Sequence, residues 1–414
     1  MSDRPRSVCM FSNMFPPVVS GSAIQSSSLA RELIARGHRP FVICPRIDAT
    51  SAEYEELDGA AVYRLPAIKL PKLPIAMNSP WLSCTFTPGN IRRVEEILRR
   101  HRPEVIHLHN HMFDLSLMAV RMRRRFSIPL TVTLHTMIRH SNPLYNVLLY
   151  PADRLVLRHL VAQQSEALIC PDDNIMDYAR KAFSRTERTM IPYGIDILDR
   201  ADRVEVERFR DAYGLEGKQV ILSLGHVHGL RDRRELVAAL PAVRKALGDV
   251  VVLVVGDEGV DTPRKLAADL GVSDAVIFTG HIPRDQVAAH LALADMEMHL
   301  FYQDSGGKDS LGMASLEAMG SGLAVIGAAH KDTHGKGLLR DGENVCLVRR
   351  GMGKDLEKVI IDLLQDRERR ERIGRAAGKL IRENFSWDRI CQQTLDAYDQ
   401  AGRILACRRA VRYG

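Results

Sequence analysis

No apolar run in the chain approaches the 18 or so residues that a membrane-spanning helix needs. The densest, 250–255, is strand-sized and ends at Gly256. Cysteine is sparse and unpatterned: seven residues, at 9, 44, 84, 170, 346, 391 and 407, form no C-x-x-C pair. That set argues against a disulfide scaffold or a cysteine zinc site and fits reduced thiols in a cytoplasmic protein. Nothing in Met1-Ser-Asp-Arg-Pro-Arg6 has the make-up of a signal peptide. No G-x-G-x-x-G follows the first apolar segment, which argues against a dinucleotide oxidoreductase. Gly306-Gly307-Lys308 falls short of a P-loop, because Tyr302 stands where the first glycine belongs and Asp309 replaces Ser or Thr. Ser83 and Cys84 lie in no nucleophile elbow, and no D-x-D pair is present. The basic runs carry no interleaved aromatics, so a nucleic-acid partner is not expected.

What is present is ordinary globular material, 45% apolar and 26% charged over 414 residues. That length suits two domains of about 200 residues each. Net charge is +7, and the first 200 residues alone hold 26 Lys/Arg against 19 Asp/Glu. Basic runs recur there at 92–93, 99–102 and 121–125. A basic half suits an acidic partner such as anionic lipid or a phosphorylated substrate; any single run is more simply a solvated helix face.

The first half alternates short apolar strands (8–11, 40–44, 62–65, 105–109, 130–134, 166–170, 189–191) with helices at 22–36, 91–102 and 113–126. Such alternation predicts a parallel, doubly wound sheet. After the turn Pro192-Tyr-Gly-Ile-Asp196 the pattern restarts, with strands at 219–224, 250–255, 275–279, 296–301 and 323–326. The fold class expected is α/β, with two Rossmann-like domains over 1–197 and 198–385 and ligands held in a cleft at their C-terminal strand ends. The amphipathic helix over 386–414 could return to the first domain. Between 66 and 90 the alternation breaks into proline-punctuated apolar pieces, 67–77 and 81–86. A membrane surface, an apolar acceptor or internal packing would each suit them.

Residues 303–322 read as a polar, glycine-rich loop running into a helix that starts near Ser310, with Asp309 as its N-cap and Gly320 and Gly322 at its end. Unpartnered first-turn amides make such a helix mouth suitable for a phosphate. Glu317 lies eight residues beyond Asp309, about 12 Å along a helix, so the two acids could grip opposite parts of one ligand. A capped surface helix is the plain alternative. His107, His109 and His111 alternate and would share one strand face, as metal ligands might; histidines lining a cleft are the preferred reading, since no H-x-H-x-D-H pattern completes a metal site.

The strand-end residues Gly21, His135, His226, Arg231, Asp257 and His281, with the 309–317 element, complete a pattern. Phe15-Pro-Pro…Gly21, Ile106-His-Leu-His109, Thr133-Leu-His-Thr136, Ile191-Pro-Tyr-Gly-Ile-Asp196, Val255-Gly-Asp257, Phe278-Thr-Gly280, Leu316-Glu-Ala-Met-Gly320 and Asp341-Gly-Glu-Asn344 stand in an order and spacing that resembles the retaining, GT-B-type nucleotide-sugar glycosyltransferases of family 4, the glycosyl transferases group 1. The resemblance spans nearly the whole chain. It implies an acceptor-binding first domain, a nucleotide-sugar-binding second domain and a C-terminal helix that crosses back.

Laid onto positions, the resemblance implies that Glu317 holds the donor ribose. Main chain at Ser310, Leu311, Gly312 and Met313 would cradle the diphosphate. Asp309 stands where the family's first acid, normally Glu, approaches the sugar. His226 and Arg231 fall on the phosphate-binding Arg and Lys, His135 on the histidine facing the sugar, and Gly21 with Ser22 on the glycine loop of the first domain. Main chain at His281 and Ile282 would meet the base. Aspartate is one methylene shorter than glutamate, and a histidine is a pH-dependent phosphate partner where arginine is not. The reaction implied is retaining hexosyl transfer to an acceptor hydroxyl, with no obligatory metal or other cofactor. The acceptor implied is a membrane lipid reached by peripheral contact of the basic first domain with an anionic membrane. A soluble acceptor and a binding-only relative are the alternatives.

Overall fold

The computed structural model describes residues 4–18, 20–47, 50–70, 82–138, 143–151, 153, 158–183, 186–198, 201–227, 231, 233–300, 308–349 and 351–413. Of the stretches singled out above, residues 71–77 and 81 of the two apolar pieces and residues 303–307 of the glycine-rich loop lie outside them. The chain divides into two compact units, Met1–Gly194 with Trp387–Gly414, and Ile195–Ser386.

The strands of the first unit are β1 (Ser7–Ser12), β2 (Arg39–Arg46), β3 (Tyr54–Leu57), β4 (Ala60–Pro66), β5 (Ile68–Leu70), β6 (Leu82–Cys84), β7 (Val105–His109), β8 (Leu130–Thr133), β9 (Ala167–Cys170) and β10 (Glu187–Met190). Eight of them form one sheet in the order β10-β9-β8-β7-β1-β2-β4-β3, while β5 and β6 pair as a separate antiparallel ribbon. Every pairing in the large sheet is parallel except β3 with β4. Helices cover both faces, which is why β1 is uninterruptedly buried and reads as an apolar run rather than an alternating one. Strand β3, half exposed at the sheet edge, is an addition to the sequence reading. Its hairpin turns on Asp58 and Gly59, both at positive φ.

The C-terminal helix Trp387–Tyr413 does return to the first unit, packing on the helix Gly21–Ala35 and on β8 and β9. Its Cys391, Leu395 and Tyr398 share a core with Val8, Met10 and Leu29. Fully buried Glu166 ties it down: the carboxylate accepts from Arg408 at 3.1 Å, from Leu130 N at 2.9 Å and from the Arg123 guanidinium. At its start, the Trp387 ring lies so close to Gly194 that a Cβ there would stand 2.4 Å from the indole. Buried Gln25 bonds Gly194 at both its N–H and its carbonyl.

The second unit holds β11 (Gln219–Leu224), β12 (Val250–Val255), β13 (Val276–Gly280), β14 (Met296–Met298), β15 (Ala324–Gly327) and β16 (Cys346–Leu347), all parallel, in the order β13-β12-β11-β14-β15-β16. One face packs Leu236, Leu240, Leu356 and Ile360; the other packs Leu316, Met319, Ala377 and Ile381. Two Rossmann-like sheets are therefore present, as the alternation predicted. Among the described residues no helix is long and apolar enough to cross a membrane.

One expectation fails. The helix expected from Ser310 spans Met313–Gly320, and its N-cap is Gly312, not Asp309. Tertiary contacts outweigh the capping preference of an aspartate. Leu311 is buried against Gly327, and the Asp309 carbonyl accepts from His330 N at 2.9 Å and Thr333 Oγ1 at 3.0 Å. These bonds hold 309–312 outside the helix. The rise of 1.5 Å per residue therefore does not set the Asp309–Glu317 spacing.

Candidate active site

In an open parallel sheet, ligands bind beyond the carboxyl ends of the strands where the strand order reverses. In the second unit the reversal falls between β11 and β14. Three glycines at positive φ end the neighbouring strands: Gly225 (φ 113) after β11, Gly256 (φ 140) after β12 and Gly280 (φ 70) closing β13. Gly256 is the tightest, since a Cβ would lie 2.4 Å from the Gly225 carbonyl oxygen. The next residues, His226, Asp257 and His281, form an exposed row. Asp257 Oδ2 is 3.5 Å from His226 Nδ1 and 3.8 Å from His281 Nδ1. Gly312, at the mouth of the helix Met313–Gly320, closes the far side, and among the described residues no side chain caps that helix. Ser310 and Leu311 are buried behind it, so this wall of the cradle is main chain.

Arg231 is largely buried, which pulls its guanidinium below the ordinary value. Glu317 is also largely buried, and its Oε2 accepts from Arg284 Nη1 at 2.8 Å. Arg284 reaches Asp196 Oδ2 at 3.3 Å as well. Burial raises the Glu317 carboxyl and outweighs the pull of Arg284; burial lowers Arg284, but its two carboxylate partners carry it above the ordinary value. Sequence reading missed Arg284. Beneath the row lies fully buried Glu297, pushed by burial to about 8.

In the first unit the strand order reverses between β1 and β7, and the end of β7 carries the expected histidines. His135 is bonded on both ring nitrogens, Nε2 to His109 Nδ1 at 3.1 Å and Nδ1 to the Tyr193 hydroxyl at 3.0 Å. Both neighbouring rings stack on it, with centroids 5.3 and 5.6 Å away. Buried His107 bonds Tyr398 and Thr133, each at 2.7 Å. Burial lowers His135 to about 4 and His107 to about 3, and also holds His109 well below its ordinary value, so all three are neutral near pH 7. The expected common face for three histidines stops at two, because β7 ends at His109. His111 turns instead to Tyr178 at 2.9 Å, which in turn bonds Asp153. No group of ligands able to hold a metal occurs among the described residues. Gly21 opens the helix Gly21–Ala35, where Ser20 accepts from Ala23 N and meets the Ser22 hydroxyl at 3.2 Å; a Cβ on Gly21 would meet nothing within 4 Å.

Two family models match in succession. Residues 20–194 match a glycosyl transferase 4-like domain, and residues 205–380 match glycosyl transferases group 1. The alpha-monoglucosyldiacylglycerol synthase of Streptococcus pneumoniae (strain ATCC BAA-255 / R6) is 24% identical over 343 residues, covering 80% of this chain and 73% of that one. The phosphatidyl-myo-inositol mannosyltransferase of Mycobacterium leprae (strain TN) is 26% identical over 401 residues, 95% of each chain. Among solved structures, Anabaena HepE in complex with UDP superposes with a TM-score of 0.71 at 17% identity, covering 95% of this chain and 99% of that one. The protein belongs to the GT-B glycosyltransferases of the group 1, family 4 type.

Proposed function

We propose that the protein transfers a hexosyl group, with retention at the anomeric carbon, from a nucleoside-diphosphate sugar to a hydroxyl of a membrane lipid. The observation that carries this reading is the cradle at the strand-order reversal of the second unit, where strand-end glycine main chain meets the mouth of the helix Met313–Gly320, with His226 and Arg231 following Gly225. Negative charge develops on the phosphate oxygen as its bond to the anomeric carbon breaks. Amides at the helix mouth and the Arg231 guanidinium would stabilise that charge, and the same oxygen takes up the acceptor proton. Glu317 would hold the donor ribose, Asp309 and His135 would approach the sugar, and main chain at His281–Ile282 would meet the base. The UDP complex of a structural neighbour fits this assignment, and so do the names of the two curated relatives, one a synthase of a glucosyldiacylglycerol and the other a mannosyltransferase named for phosphatidyl-myo-inositol.

A surface groove of about 500 Å³ supports the lipid acceptor. It is lined by Phe86, Leu117, Val120 and Leu160 and rimmed by Arg121, Arg124 and Arg125. Apolar lining under three guanidinium groups matches the headgroup and upper acyl region of an anionic bilayer. Sedimentation with vesicles of phosphatidylglycerol and phosphatidylcholine tests it. Binding should weaken in high salt and fall by about a hundredfold when Arg121, Arg124 and Arg125 are changed together to serine, at roughly 1 kcal/mol per basic residue. Salt-insensitive or absent binding would favour a soluble acceptor. Product anomers read by NMR, with UDP-, GDP- and ADP-sugars as donors, test retention; an inverted product removes that part of the reading.

A further inference from the structure

Beneath the phosphate cradle lies a layer of polar side chains to which the transfer reaction gives no role. Arg233 stands at its centre, only 6% exposed, at the head of the helix Arg234–Leu247 with φ 65. Its Nη2 donates to the Gly225 carbonyl at 2.8 Å and its Nη1 to the Arg231 carbonyl at 2.7 Å. One planar fork thus ties the residue just before His226 to the main chain of Arg231. Buried Glu297 lies within electrostatic reach of Arg233 and faces Ser315 in the first turn of the cradle helix. Buried His299, just past the end of β14, underlies both walls of the cradle: Cβ atoms built on Gly225 and Gly312 would lie 3.4 and 3.6 Å from its Cε1. The Arg233 guanidinium is buried, so its two bonds to carbonyl oxygens are sheltered from competition by water. Its rigid geometry, which a lysine cannot reproduce, fixes the separation of the two segments.

We propose that Arg233 is a positioning residue of the donor site, setting the spacing of His226 and Arg231 and so their joint grip on a nucleoside diphosphate. This inference rests on the nucleotide-sugar reading above. It predicts that Arg233 acts on the second phosphate and hardly on the nucleoside.

The experiment is calorimetric titration of the full chain with UDP, UMP, GDP, GMP, ADP and AMP, for the wild type, Arg233→Met and Arg233→Lys. In the wild type one diphosphate should bind well above its monophosphate. In Arg233→Met that preference should collapse by about tenfold or more, the scale of a lost charge-assisted hydrogen bond, while monophosphate affinity changes little. Arg233→Lys should recover only part of it. With turnover as readout, the donor KM should rise more than kcat falls. If the wild type binds no nucleoside diphosphate, the nucleotide-sugar reading itself fails. If it binds one and the folded variants keep the wild-type preference, or lose di- and monophosphate affinity in equal measure, Arg233 is merely structural and the inference is overturned. Arg233→Lys supplies the same comparison if Arg233→Met does not fold.

Discussion

Replacing Gly256 with alanine would strike both the second unit and its cradle. At φ 140 any side chain is strained, and the new Cβ would sit 2.4 Å from the Gly225 oxygen and 2.6 Å from its carbon. Gly225 cannot simply retreat. Its N–H is held by the Val255 carbonyl at 2.8 Å and its carbonyl by Arg233 at 2.8 Å. Backbone strain of about 1–3 kcal/mol adds to the loss of one hydrogen bond to a charged group, about 1.5–3 kcal/mol. A total of about 3 kcal/mol or more lowers the melting temperature of a unit this size by about 6–12 °C. Gly271→Ala is the control, since its φ is 68 but no atom lies within 4 Å of the added Cβ. It should cost only about 1 kcal/mol and 2–4 °C. Thermal unfolding, with UDP and GDP titration of the survivors, checks both. The reasoning is refuted if Gly256→Ala melts no lower than Gly271→Ala and binds nucleotide normally.

Glu317→Gln should weaken nucleotide binding by about tenfold, the worth of a charged hydrogen bond to a ribose hydroxyl, with calorimetry as the assay; an affinity within twofold of wild type would remove Glu317 from the ribose. Tyr193→Phe strips the hydroxyl from His135 Nδ1 and should lower stability by about 1 kcal/mol in urea titrations, with no change if that bond adds nothing. Acid should destabilise the first unit. His107 and His135 have folded values near 3 and 4 against an ordinary 6.5, so the unfolded chain binds more protons below about pH 6.5. Their contribution is full above that pH and fades as pH falls towards 4 and then 3, amounting to roughly 2 kcal/mol per histidine already lost at pH 5. Denaturant titration at pH 7 and 5 reads this loss, and a His107→Gln variant as acid-sensitive as wild type would contradict it.

The frame of both units was legible because strands buried on two faces must be apolar throughout, as Val8–Phe11 and Val250–Val255 are. The three strand-end glycines were legible as the stops of their strands, and at φ 113 and φ 140 Gly225 and Gly256 hold backbone that any side chain would strain. The start of the cradle helix was not legible. An aspartate ahead of an apolar run is a good cap, but the pull of Leu311 towards Gly327 and of the Asp309 carbonyl towards His330 comes from residues far along the chain. Arg284, Arg233 and Glu297 were hidden for the same reason, each defined by a partner on another strand or helix. Strand β3 escaped because an edge strand half in water need not be apolar, although Asp58-Gly59 was a hairpin signal.

The contact of Trp387 with Gly194 has a consequence for biosynthesis. The chain leaves the first unit at Gly194 and rejoins it at Trp387, so the second unit is an insertion at one locus of the first. Residues 195–386 are contiguous and can collapse as soon as they clear the ribosome. The first unit cannot finish then, because Cys391, Leu395 and Tyr398, which cover Val8 and Met10, have yet to be made. The half translated first is the half completed last, and until the closing helix arrives it presents an unsealed apolar face to the surrounding cell.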